Sequence, residues 1–214
     1  MPGEPHPSTR PLTARGAATR LRIVEAAATL IHGRSAGQVS LDEVMEASGT
    51  SKSQLYHYFA DKDALVLEVI AFQTRRILEA NAAHSLDSIE ALRAWRDAML
   101  TANRAGGGIG GCPIGSLANE HAPQSEKART LLAQSFEAWS TIIETGLARM
   151  KAQGQIKSSA DTHAISIAVL AAIQGGILLA KSARSSTPLE LAFDMALSHI
   201  ERHAARPYAQ RQLG

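Results

Sequence analysis

The chain carries one cysteine, Cys112, in 214 residues, and Phe, Trp and Tyr together make up only 4% of it. A lone thiol forms no intrachain bridge, so a secreted disulfide scaffold is excluded and the reducing cytoplasm is the expected compartment. At this length a core can be filled without cross-links. No charge sign dominates: 22 Lys and Arg against 20 Asp and Glu leave +2, too little to identify a polyanionic partner from the bulk value. Long apolar runs are also missing. The nearest, residues 164–180, is interrupted by Ser166, Gln174, Gly175 and Gly176 and is slightly short for a bilayer, so a buried helix and no membrane partner are expected. Residues 1–11 are rich in Pro, Gly, Ser and Thr without an apolar stretch. They are expected to be no signal peptide but the start of a disordered arm over residues 1–18, with a short tail at 206–214.

What is present is helical periodicity. Apolar residues recur at three- and four-residue steps almost throughout and few runs alternate with period two, which predicts an all-α chain of about nine helices. Thr19 is the expected cap of the first, whose inner face is Ile23, Ala26, Ala27, Leu30 and Ile31 and whose end lies near Gly33. Ser40 caps a short second helix stopped by Gly49, Ser51 opens a third, and Asp61 caps a long fourth. Further helices are expected from Asp87, from Pro113, from Ser125 to Gln153, over 162–182 and over 188–203, with a glycine-rich loop at 105–111. The domain division expected is 19–65 and 66–205, with the fourth helix shared between the two.

A short helix, a tight glycine turn and a second short helix form the helix-turn-helix pattern. The second helix of such a pair enters the DNA major groove and needs polar side chains at its start. Thr50-Ser51-Lys52-Ser53-Gln54-Leu55-Tyr56-His57-Tyr58-Phe59 supplies them, with Leu55 and Phe59 turned inward. Lys52 suits a guanine edge or a phosphate and Gln54 a bidentate bond to adenine, while Ser40, Ser51 and Ser53 suit phosphates or bases. Tyr56 and His57 are expected at the DNA backbone, and Tyr58 in the core. Lys62 is placed for a phosphate at the start of the fourth helix, and Thr19 with Arg20 for the opposite strand. Arg10, Arg15, Arg20 and Arg22 follow one another without an intervening acid and read as a phosphate-seeking patch. The bland alternative for each is a core aromatic or a solvated cation.

Three runs together, Ser40-Leu41-Asp42-Glu43-Val44, Ala47-Ser48-Gly49-Thr50-Ser51-Lys52 and Leu55-Tyr56-His57-Tyr58-Phe59 followed by Asp61-Lys62-Asp63-Ala64-Leu65, resemble the DNA-binding domain of TetR-type repressors. The resemblance spans about residues 19–70. It departs at Ile31, where the family often has Phe, and at Ser35-Ala36, which replace a glycine followed by an aromatic residue. It implies a three-helix DNA-binding domain with a helix-turn-helix, then a larger six-helix ligand-binding and dimerisation domain. By the same resemblance the partners are double-stranded operator DNA of pseudo-palindromic sequence, a second copy held through the last two long helices, and a small-molecule or electrophile/oxidant effector that releases the DNA.

In the second domain, Gly106, Gly108 and Gly111 satisfy GxGxxG, but the dinucleotide mechanism needs a strand before the loop. None is expected, so no cofactor is assigned. Gly111-Cys112-Pro113-Ile114-Gly115-Ser116-Leu117 resembles the sixth helix of one branch of the same family. Cys112 at a helix start reads either as a buried small hydrophobe or as a thiol activated by the helix dipole. An effector pocket is expected among Trp95, Met99, Phe136, Trp139 and Ile143, with Cys112, Ser116, Asn119 and Gln174 beside it. The small residues Ala171, Ala172, Gly175 and Gly176 suit close helix approach, and Leu189, Leu191, Phe193, Met195, Leu197 and Ile200 fill more than one stripe, so both last helices need a second buried face. His199 and His203 read as a solvated pair, and no metal is assigned. Two rival classes remain at this level: an enzyme with Cys112 as nucleophile and His121 as a base folded back beside it, and a helical protein-binding adaptor.

Overall fold

The computed structural model describes residues 12–107 and 110–205, and among these the chain is all-α. Nine α-helices run in order: α1 Ala14–Gly33, α2 Leu41–Ser48, α3 Lys52–Tyr58, α4 Lys62–Ala82, α5 Ile89–Ala105, α6 Pro113–His121, α7 Glu126–Ala152, α8 Thr162–Ala183 and α9 Thr187–Glu201. Most start at a side chain that satisfies an orphan backbone N–H. Ser88, Ser125 and Asp161 accept from the amides of Ala91, Ala128 and Ala164, and Asp61 from that of Ala64. The chain divides at Val69/Ile70, inside α4, into two compact units.

The first unit departs from expectation at its start. Thr13, not Thr19, caps α1, its hydroxyl taking the Gly16 amide at 3.1 Å. Thr19 lies inside the helix and donates to the Arg15 carbonyl. Residues 14–18, expected in the arm, are therefore helical; residues 1–11 of that arm and the tail at 206–214 lie outside the described residues. The polar stretch ahead of Ile23 buries nothing, so apolar periodicity alone started the helix nearly two turns too late. Ile23, Val24, Ala27, Val44, Leu55, Phe59, Leu65 and Val69 form the core of this unit. The loop that departs from the family pattern forms a single 3-10 turn, Ala36–Gln38, and seats Ala36 fully buried.

In the second unit, Trp95 donates its Nε1–H to Asn81 Oδ1 at 2.8 Å and meets Phe193 edge to face at 5.2 Å, joining α4, α5 and α9. Arg96 bonds Asp97, Asp194 and Glu190, and Arg104 shares Glu190, a set that fastens α5 to α9. α8 packs on α9 at Gly176, where an added Cβ would lie 2.8 Å from Ala192 Cβ. Gly176 thus serves packing within the chain, whereas an added Cβ at Gly175 meets nothing within 4 Å. A buried Ser140–Ser166 hydroxyl pair at 2.9 Å joins α7 to α8. The glycine-rich loop follows α5 through Gly107 and Gly111, both at positive φ; Gly108 lies outside the described residues.

Candidate nucleic-acid interface and ligand pocket

The turn between α2 and α3 is fixed from several sides. Gly49 adopts φ +61°, the left-handed conformation a Cβ disfavours. Thr50 N–H returns to the Met45 carbonyl at 3.0 Å, the Ser48 and Thr50 hydroxyls pair at 2.7 Å, and Arg22 Nε donates to the Ser48 carbonyl at 2.8 Å. Both flanking helices begin with reciprocal capping boxes, Ser40 with Glu43 and Ser51 with Gln54. The turn and both capping boxes therefore fix α3, the rigidity that a DNA-reading helix would need.

Its outward face is Lys52, Ser53, Tyr56 and His57, all exposed. Steps of three and four residues place these four on one side of the helix, opposite Leu55 and Phe59. Tyr56 is 46% exposed although Leu55 beside it is fully buried. His57 rests edge-on against the half-buried Tyr58 at 4.9 Å.

Several expected DNA residues have other duties here. Gln54 Oε1 accepts the Ser51 amide at 2.9 Å, so the atom needed for a bidentate bond to adenine is committed to the cap. The Ser40 hydroxyl is held by Glu43, accepting its amide and donating to its carboxylate, and Ser51 Oγ accepts the Gln54 amide at 3.2 Å. Arg20 pairs with Glu68 at 2.5 Å and stacks over Phe59, 5.5 Å from the ring centroid. Lys62 Nζ reaches the Gly37 carbonyl at 3.4 Å. The carboxylate of Asp61, rather than an open set of amides, occupies the start of α4. The expected arginine patch is accordingly smaller: Arg20 and Arg22 brace the unit, Arg15 is exposed, and Arg10 lies outside the described residues.

Glu43 ties this unit to pH. The Ser40 amide, the Arg34 guanidinium and the Ser40 hydroxyl hold its carboxyl at about 2 against an ordinary 4.5. The folded-state value is depressed, so the stabilisation is fully present above 4.5 and is lost as pH falls from there through about 2. Glu43→Ala is expected to lower the melting temperature by a constant amount above that window. The difference from the parent protein, followed by circular dichroism, should shrink to nothing at the acid end; a gap that persists there would assign the effect to packing instead.

The second unit holds a cleft of about 560 Å³ between α6, α7 and α8. Cys112, Ser116, Asn119, Phe136 and Gln174 line it, as expected, together with Gly111, Gly115, Glu120, Ile177, Leu178 and Lys181. Trp95, Met99, Trp139 and Ile143 do not. Trp95 and Ile143 are core, Trp139 is buried with its Nε1–H unpartnered, and Met99 is half-buried on α5. Periodicity identifies the inner face of each helix but not which inner residues border a void. Lys181 had one available signal: it is the only Lys or Arg in α8.

Burial pushes the Cys112 thiol above its ordinary value, outweighing the hydrogen bonds that favour the thiolate from the Gly115 backbone, Gln174 and the Ile114 backbone. The helix dipole does not make this an activated thiol. The proposed base is also misplaced. Cys112 immediately precedes α6 and His121 ends it, and nine residues of helix at about 1.5 Å each hold them roughly 13 Å apart. The fold-back that would have made them neighbours is prevented because the segment between them is helical.

α8 and α9 leave large apolar side chains in the open. Ile167, Leu178 and Leu179 are 50%, 60% and 58% exposed, and Leu191 and Met195 on α9 are 64% and 61%. α8 is the one helix among the described residues long and apolar enough to cross a membrane, with 44% of that stretch buried.

Comparison with known proteins agrees across both units. Residues 23–69 match the profile for bacterial regulatory proteins of the tetR family, and residues 88–195 that of the C-terminal domain of LmrA/YxaF-like transcriptional regulators. The chain is 26% identical to the HTH-type transcriptional regulator YxaF of Bacillus subtilis over 84% of its length and 93% of that protein's. It is 27% identical to HTH-type transcriptional regulator LmrA of the same organism, over 80% and 90%. Among solved structures, a TetR-family regulator from Cytophaga hutchinsonii superposes with a TM-score of 0.82 at 18% identity, covering 92% of this chain and all of that one. Regulatory protein TetR from Rhodobacter sphaeroides gives 0.76 at 21%, covering 87% and 99%. With profiles matched in both units and these relatives aligned along most of its length, the chain belongs to the TetR family of transcriptional regulators.

Proposed function

We propose that this regulator is a cytoplasmic repressor that binds a pseudo-palindromic operator as a homodimer and lets go when a small molecule enters the α6–α8 cleft. The observation that carries the DNA half is the exposed quartet Lys52, Ser53, Tyr56 and His57 on a helix locked by two capping boxes and a pinned turn. Lys52 and His57 reach phosphates or base edges, Ser53 donates, and Tyr56 packs its ring along the sugar-phosphate backbone. Ser51 retains its hydroxyl proton for a phosphate. Gln54 reads a base only by giving up its cap, so it contributes less to specificity than its amide chemistry suggests.

The dimer reading rests on the open apolar faces of α8 and α9, which a second copy related by a two-fold axis would cover. Effector release follows if the ligand favours a conformation with the two reading helices wrongly spaced for successive major grooves. No catalytic role is assigned: Cys112 and His121 stand at opposite ends of one helix, and the thiol is held protonated.

Selection of bound duplexes from a random pool, then titration of the winning duplex against salt, tests the reading. A steep loss of affinity with salt is expected, and Lys52→Ala should weaken binding and reduce the log–log slope by about one. A salt-independent interaction, or no enrichment of any duplex, would sink it.

A further inference from the structure

The cleft between α6, α7 and α8 is polarised. At one end Lys181, in the last turn of α8, would ordinarily turn back to the terminal carbonyls of its own helix. Instead its stem lies across Gly111. A Cβ there would fall 3.0 Å from Lys181 Cδ and 3.4 Å from its Nζ, so the lysine stem lies in contact with the backbone of Gly111. Among the described residues Lys181 Nζ has no carboxylate partner. Gln174 lies two turns earlier on the same helix, about 10 Å along its axis, over Gly115, where an added Cβ would be 3.2 Å from Gln174 Oε1; the long lysine stem has to span that interval. The Cys112 thiol beside it, pushed up by burial and so kept protonated, offers the Gln174 amide only a weak sulfur acceptor. Gln174 Nε2 is buried with no hydrogen-bond acceptor, an arrangement native structures rarely leave unmet. The first turn of α6 beside them lacks a side-chain cap, which adds partial positive charge to the same end.

The rest of the wall has a different character. Phe136, Ile177 and Leu178 form an apolar side, and Glu120 is its one acidic residue. Glu120 lies five residues beyond Gly115 along α6, about 7 Å farther from the lysine end.

We propose that this cleft takes a small organic anion, a carboxylate carrying an apolar body, whose carboxylate is received by Lys181 Nζ and Gln174 Nε2 while the body lies against Phe136, Ile177 and Leu178. This rests on the reading of the cleft as the effector site and adds the charge class of the effector. An ammonium-bearing ligand would place its charge against Lys181 or leave its apolar part beside Glu120. A neutral ligand of the same shape fills the apolar side but leaves the lysine unused.

Three molecules of one shape separate these cases: 4-phenylbutyrate, 4-phenylbutan-1-ol and 4-phenylbutylamine, titrated calorimetrically into the full-length protein. The acid is expected to bind at least about tenfold more tightly than the alcohol, with the amine weakest, as a charge-assisted hydrogen bond requires. Lys181→Met should bring the acid to within about threefold of the alcohol and leave the alcohol's affinity unchanged. Phe136→Ala should weaken acid and alcohol together. Acid and alcohol binding equally well, in a Phe136-dependent way, would overturn the anion assignment and leave the effector cleft standing. Retention of the acid preference in Lys181→Met would overturn it as well. Absence of binding by all three at about 10 mM would overturn both the anion assignment and the cleft as an effector site.

Discussion

Gly146→Ala is expected to destabilise the second unit by about 2–3 kcal/mol, although alanine is the better helix former by about 1 kcal/mol. Gly146 lies buried in the interior of α7, six residues before its end. An added Cβ would meet the Leu86 carbonyl oxygen inside van der Waals contact, the Leu86 Cβ at 2.6 Å and its carbonyl carbon at 2.8 Å. The obstacle is backbone, and it cannot step aside easily. Leu86 is fully buried and adopts φ +52°, a left-handed conformation costly for a branched side chain, between α4 and α5. Relieving the clash means moving that connection off α7 and opening a gap beneath Leu86. Thermal unfolding should show a midpoint lowered by roughly 4–12 °C. Gly33→Ala, whose new methyl meets nothing within 4 Å, provides the control and should leave the midpoint unchanged or slightly raised. A Gly146→Ala midpoint at or above that of the parent would mean that the connection repacks at no cost.

That contact also marks the limit of what the sequence discloses. Nothing about Gly146 as a letter distinguishes it from the open Gly33, because the difference lies in a loop 60 residues away folding against it. Local chemistry was legible. Ser40, Ser51, Asp61, Ser125 and Asp161 cap the helices they precede, and Gly49 stops α2, because each is a short-range hydrogen bond or dihedral preference. The all-α class follows from periodicity in the same way. The readings that moved were those in which one side chain had two possible uses. Gln54 can read adenine or close a capping box, and in the free protein the cap is nearer; Arg20 can reach phosphate or pair with Glu68, and Glu68 lies within its own unit. Composition does not rank such options, whereas distance does. The cleft was legible only in part for a related reason. Ser116, Asn119, Phe136 and Gln174 were expected at it, but the exclusion of Trp95 depends on Asn81 and Phe193 claiming the indole first.

Ala171→Glu on α8 and Leu191→Glu on α9 are each expected to leave the protomer folded and to abolish the proposed dimer. Both positions are exposed within the protomer, Leu191 at 64%, so neither carboxylate disturbs a core when the chain is alone. In a two-fold assembly through these helices each substitution appears twice, and each new charge is buried against an apolar face. The cost is several kcal/mol per uncompensated charge, enough to dissociate a dimer at about 10 μM. Sedimentation should then report a monomer with unchanged helical content. Operator affinity should fall by at least about 100-fold, since a monomer engages one half-site and loses the linked second contact. The same face borders the cleft: Gly175 and Leu178 are exposed on α8 and also line the cavity wall. A ligand pressing on Leu178 would therefore act on the helix proposed to carry the dimer contact, a short route from an occupied cleft to altered spacing of the reading helices. If both variants remain dimers with operator affinity within about threefold of the parent, the interface lies elsewhere and that route is lost.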